Sequence, residues 1–157
     1  MNHKSSKIAS LIEPYRGQGL NAYYLGYFEC FNGQLFFEAH EVLEALWLPE
    51  RRGPNGNFYK GLIQLAGAFV HLQKGRAGPA AALFKLAEGN LRQYPSVHES
   101  LNVASVYNLI GEWLPRMDGG ICIRRPLTAE NAPKLSLIGG QDAGGIEPCQ
   151  LPSPPTL

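Results

Sequence analysis

Apolar positions in this chain recur mainly at helical spacing. Between Leu20 and Phe31, Tyr24, Tyr27, Phe28 and Phe31 lie three and four positions apart, so they share one helical face, with Tyr23 beside it. That face reads as core, because a base-stacking platform would interleave basic residues among its aromatics and this segment has none. Residues 1–17 ahead of it read as an irregular or weakly helical lead-in.

Asn32-Gly33 interrupts the pattern, and Asn32 is read as ending one helix and capping the next. That next helix is expected from Gln34 to Leu48 with Pro49 as its stop. Pro49 to Asn57, with two prolines and two glycines, reads as a loop. A helix from Phe58 to Lys74 is apolar nearly all round. Its Gly61, Ala66, Gly67 and Ala68 include poor helix formers and suggest close approach of a neighbouring helix. Gly75 and Gly78 should end it. Pro79 suits the first turn of a further helix, running to about Tyr94 with Ala80, Leu83, Phe84, Ala87 and Leu91 inward. Ser96-Val97-His98-Glu99 matches a Ser-x-x-Glu capping box and should open a last helix ending near Trp113. No segment carries a strand pattern. Beyond Pro115 the helical period fades. Gly and Pro crowd residues 118–157, apolar patches remain at Ile121 to Ile123 and around Leu135 to Ile138, and Gly139 to Leu157 reads as a flexible tail. The expected fold is all-α: a compact bundle of about five helices over residues 1–117, then an irregular C-terminal extension over 118–157.

Composition narrows the classes. A chain of 157 residues can bury a core without staples. A formal net charge of +1 with scattered basic residues argues against a nucleic-acid partner. Cys30, Cys122 and Cys149 are odd in number, widely spaced and without a CxxC, so a disulfide framework and a zinc knuckle are both disfavoured and a reducing, cytoplasmic home fits. Met1 to Ser10 lacks the apolar run of a signal peptide. Gly61 to Leu72 is broken by Gln64 and His71 and falls short of the roughly 20 residues of a membrane span.

The candidate chemistry sits in Glu38-Ala39-His40-Glu41-Val42-Leu43-Glu44-Ala45-Leu46-Trp47. His40 and Glu44 are four apart and Trp47 follows three later, so the three share a face, with Glu41 next to it and Glu38 three before Glu41. On the following helix Lys60, Gln64 and His71 share a face. Antiparallel packing across a short loop, counted at about 1.5 Å per residue, sets Glu44 near Gln64 and His71 about a turn beyond His40. One reading is a divalent transition-metal site, with His40, Glu44 and His71 as ligands and Glu41 as the catalytic base that activates water. It departs from the His-Glu-x-x-His pattern because the second histidine is Glu44, and from the Glu-x-x-His of di-iron bundles because residue 37 is Phe. The other reading needs no cofactor: Glu38, Trp47, Lys60 and Gln64 join the motif in a buried polar core or a small binding pocket. It ranks first, since perturbed ionisable clusters also arise for structural reasons. His98 reads as exposed. There is no P-loop, GxGxxG or GxSxG.

These residues also carry a resemblance. Phe31-Asn32-Gly33 with Phe36-Phe37-Glu38-Ala39-His40-Glu41-Val42-Leu43-Glu44-x-x-Trp47, followed by Phe58-Tyr59-x-Gly61-Leu62-Ile63-Gln64-Leu65-Ala66, His71-Leu72 and Gly75, is similar to the signature of the domain-of-unknown-function 309 family. The resemblance spans roughly residues 24–95. It implies a compact all-helical protein of bacterial or archaeal cytoplasm, with no agreed activity. Its marked residues fall here on Glu38, His40, Glu41, Glu44, Trp47, Gln64 and His71. Biochemical function is therefore left unknown, and three roles stand: a binding domain for a small molecule or a protein, a metal-dependent hydrolase-like enzyme, and a homo-oligomeric scaffold built on the aromatic face.

Overall fold

The computed structural model describes residues 3–117 and 127–138, with side chains from residue 6 onward. Helix α1 (His3–Ile12) leads through a 3₁₀ turn (Glu13–Tyr15) to α2 (Ala22–Asn32), α3 (Phe36–Glu50), α4 (Gly56–Gln73) and α5 (Ala77–Leu91). A short hairpin of β1 (Val97–His98) and β2 (Leu101–Asn102) precedes α6 (Val103–Trp113). The all-α expectation holds, with one more helix than the sequence suggested among the described residues. The lead-in is that helix: Ile8 and Ile12, one turn apart, are both buried and give α1 an inward face. Gly26 lets α1 and α3 approach α2, since a Cβ there would stand 3.2 Å from Ile12 Cγ2 and 3.4 Å from Val42 Cγ1.

The aromatic face of α2 is core, as expected: Tyr24, Tyr27, Phe28 and Phe31 are all buried. Phe69 of α4 is the hub of that core. Its ring stacks on Phe36 at 5.1 Å and meets Phe31, Phe84 and Trp113 edge-on at 5.7, 5.2 and 5.2 Å, which ties α2, α3, α5 and α6 to α4. Edge-to-face pairs of this kind add to the area buried. The Tyr27 hydroxyl donates to the Leu62 carbonyl at 2.7 Å, and burial pushes its pKa well up.

Several local readings are corrected. Asn32 does end α2, but it does not cap α3; the N-cap there is Leu35, which makes no side-chain cap, and the Asn32 amide reaches Leu135 instead. Pro49 lies inside the last turn of α3, where it deletes only its own N–H bond. Gly78 lies inside α5 rather than before it. The Ser96–Glu99 capping box is not formed: those residues enter the β1–β2 hairpin, and the true N-cap of α6 is Asn102, whose side chain accepts from the Ala104 N–H at 3.1 Å. The hairpin turn is Glu99-Ser100, with φ of 50° and 59°, a left-handed conformation unusual for either residue. Leu135 and Leu137 are buried against the bundle, whereas Ile121 to Ile123 and Gly139 to Leu157 lie outside the described residues.

Candidate functional site

Helix α3 points Phe36, Ala39, Val42 and Leu43 into the core. A period of 3.6 therefore turns Phe37, Glu41, Glu44 and Leu48 outward. Phe37 and Leu48 are exposed, while Glu38, His40, Glu41, Glu44 and Trp47 are half-buried. The motif is thus a surface seam. Among the described residues no polar or charged residue is fully buried, so a sealed polar core is not what the motif builds.

The individual placements follow from that orientation. Glu38 receives the Lys7 ammonium of α1 at 3.0 Å, and that hydrogen bond, with the carboxylate's charge, raises the Lys7 pKa. The His40 ring lies nearly parallel to Phe37, centroids 6.0 Å apart, and its Nδ1 is buried with no hydrogen-bond partner among the described residues. Trp47 packs on the edge of the core. On α4, Lys60 is exposed and Gln64 reaches α5: its Oε1 accepts from Asn90 Nδ2 at 2.7 Å. His71 is half-buried, with Nδ1 likewise unpartnered among the described residues; desolvation first, then Arg76 and Lys74, lower its pKa.

Gln64 thus lies at the contact between α4 and α5. At the same contact a Cβ at Gly61 would come within 2.9 Å of Leu91 Cγ, and one at Gly67 within 3.2 Å of Leu83 Cδ1. Among the described residues no group of three or more His, Cys, Asp and Glu side chains could hold a metal ion, so His40, Glu44 and His71 do not converge as a ligand set. Cys30 is a buried free thiol whose pKa burial pushes up to about 11, which removes it as a nucleophile near neutrality.

A second polar cluster was not legible in the sequence. His98 is not exposed at a helix start. It sits in β1 with its ring 4.7 Å from Phe58 and 4.8 Å from Tyr94. His98 Nε2 meets Asn55 Oδ1 at 2.7 Å while Asn55 Nδ2 donates to Glu99 Oε2 at 2.9 Å. A carbonyl oxygen only accepts, so Nε2 carries the proton. The Tyr24 hydroxyl donates to the Glu99 carbonyl at 2.8 Å, and Tyr94 Oη accepts from the Phe58 N–H at 3.0 Å and donates to Pro54 O at 2.8 Å. The cluster fastens the hairpin to the start of α4. Its partners come from α2, the α3–α4 loop, α4 and the hairpin, so no local pattern announces it.

The fold and the seam define a small helical domain whose distinctive polar motif lies on an outer helix. The family model described as Domain of unknown function (DUF309) matches residues 24–83, and over that span the chain is similar to this family. The matched span holds most of α2, all of α3 and α4 and the first half of α5, ending sooner than the resemblance to residue 95 suggested. No curated protein and no solved structure matches the chain. Among the described residues no helix is long and apolar enough to cross a membrane.

Proposed function

We propose that this is a non-catalytic binding domain of the cytoplasm that recognises a protein partner through the outward face of α3. One observation supports this most. Phe37 and Leu48, exposed to 48% and 46%, stand at opposite ends of the face that carries Glu41 and Glu44. Eleven residue steps of helix separate them, about 16 Å, a span that a short segment of a partner can cover. Apolar anchors rimmed by charge are a mark of interaction surfaces. Among the described residues the histidines and glutamates gather no three-ligand cluster, which favours binding over metal chemistry.

The test joins two measurements. Phe37→Ser with Leu48→Ser should leave the helical circular dichroism unchanged. It should weaken at least tenfold the complex reconstituted from purified protein and a purified partner first captured with the wild-type chain. An unchanged dissociation constant would remove α3 as the surface. Metal content of the untagged protein decides the rival: a near-stoichiometric transition metal that is lost on His40→Ala would overturn the binding reading in favour of a metal-dependent enzyme.

A further inference from the structure

Residues 127–138 return to the bundle and finish as an extended segment. A turn opens it, with the Thr128 N–H donating to Asn131 Oδ1 at 2.7 Å and the Asn131 N–H to Thr128 Oγ1 at 3.2 Å. From Pro133 the burial then alternates. Pro133, Leu135 and Leu137 are buried, while Lys134, Ser136 and Ile138 are exposed. That is the period of a strand, one face in and one face out.

The backbone of this segment is gripped at both ends of its leucine pair. Asn32, the last residue of α2, accepts the Leu135 N–H on Oδ1 at 2.7 Å and donates from Nδ2 to the Leu135 carbonyl at 2.7 Å. One side-chain amide thus satisfies both main-chain groups of one residue, as a neighbouring strand would. Further on, Leu137 forms an antiparallel bridge with Leu101, and the Ile138 N–H donates to the Ser100 carbonyl at 2.7 Å. Asn102, Ser105 and Leu109, at and after the start of α6, line the surface beside Lys134 to Ser136. Main-chain hydrogen bonds combined with burial of alternate side chains are how proteins bind extended peptides. Neither grip reads the outward residues.

We propose that Asn32, the Ser100-Leu101 edge and α6 form a groove for an extended peptide of the pattern Pro-x-Leu-x-Leu. Residues 133–137 are its occupant in cis, and a segment of that pattern from another protein takes the groove when the tethered one lifts out. The groove lies outside the matched family span except for Asn32. Tethering gives the cis segment an effective concentration of millimolar order. Against a peptide of roughly 10 µM intrinsic affinity this suppresses binding in trans about a hundredfold.

The experiment uses the full chain and a fluorescein-labelled peptide of residues 131–138, read by fluorescence anisotropy. A chain carrying Leu135→Asp and Leu137→Asp should bind this peptide at least tenfold more tightly than the wild-type chain does. Adding Asn32→Ala should lose at least tenfold again, and a peptide with both leucines changed to Asp should not bind. A double variant that keeps its helical circular dichroism and ignores the peptide overturns the proposal. If the double variant does not fold, a protease site inserted between Met117 and Leu127 provides a second measurement. After cleavage the C-terminal piece should stay with the bundle on size exclusion and leave it in excess free peptide. Unfolding on cleavage, or a piece that excess peptide cannot displace, makes the segment a fixed part of the core and overturns the proposal. So does a dimer that exchanges these segments between its copies yet binds no peptide, since the groove then serves a second copy.

Discussion

Gly61→Ala and Gly89→Ala are the same chemical change in two helices, yet only Gly89→Ala should stabilise the protein. In a helix interior Ala is favoured over Gly by about 1 kcal/mol. Gly89 realises that gain, because a Cβ there would meet nothing within 4 Å. At Gly61 the new methyl would stand 2.9 Å from Leu91 Cγ, 3.1 Å from Leu91 Cδ2 and 3.2 Å from the Ala87 carbonyl oxygen. Leu91 is fully buried, the clash reaches its branch carbon, and Ala87 O belongs to helical backbone, so neither yields easily. Overpacking of this kind costs about 1–3 kcal/mol, which outweighs or cancels the propensity gain. The expected net change is up to about 2 kcal/mol of destabilisation for Gly61→Ala and about 0.5–1 kcal/mol of stabilisation for Gly89→Ala. Urea titration followed at 222 nm reads both, with the slope unchanged so that the midpoints report stability alone. If Gly61→Ala stabilises the protein as much as Gly89→Ala, the α4–α5 contact is looser than described and the close-approach argument fails.

Three further outcomes are expected. Asn32→Ala removes both hydrogen bonds to Leu135 and should cost about 1–3 kcal/mol, with the Leu135 amide losing protection in hydrogen exchange while α4 amides keep theirs. Cys30, Tyr24 and Tyr27 all have raised pKa values because burial disfavours their anions. The unfolded chain therefore releases these protons first, and stability, full below the unfolded values, should fall as pH rises above about 9; Tyr27→Phe should flatten that decline in denaturation midpoints measured from pH 8 to 11, roughly the window set by these groups. Ser100→Gly removes a side chain from a left-handed position and should raise the thermal midpoint, by about 1 kcal/mol in stability; a lowered midpoint would mean that the turn is not strained.

The elements that declared themselves in the sequence are those whose cause is local. The aromatic face of α2, the small residues of α4 and the Pro79 start of α5 each follow from spacing within one helix. The failures occur where a distant partner decides. Asn32 has the composition of a cap, but its amide is claimed by a residue 103 positions away. Ser96 to Glu99 spells a capping box, yet Asn55, Tyr24 and Tyr94 draw His98 and Glu99 into a hairpin. In the candidate site, the shared face of His40, Glu44 and Trp47 was legible because it lies on one helix. The bond of Gln64 to Asn90 was not, because it depends on the rotation of α4 and on a partner in α5. One signal was present and passed over: the alternation of Pro133, Leu135 and Leu137 inside a segment rich in loop residues.

The Tyr94 hydroxyl takes the Phe58 N–H at the start of α4, a group that the Asn55 side chain at the N-cap does not satisfy. Asn55 is thereby released to hold His98 and Glu99. In evolutionary drift the four positions, 55, 94, 98 and 99, are consequently bound into one unit of inheritance. A descendant that replaces Tyr94 with a residue lacking a hydroxyl strands an amide, and the nearest remedy is an Asn, Ser or Asp at 55 turned back to cap its own helix. That remedy abandons the hairpin, so positions 98 and 99 should then change as well. Among relatives long enough to include this region, Tyr94, Asn55 and the His98-Glu99 pair should be kept together or lost together.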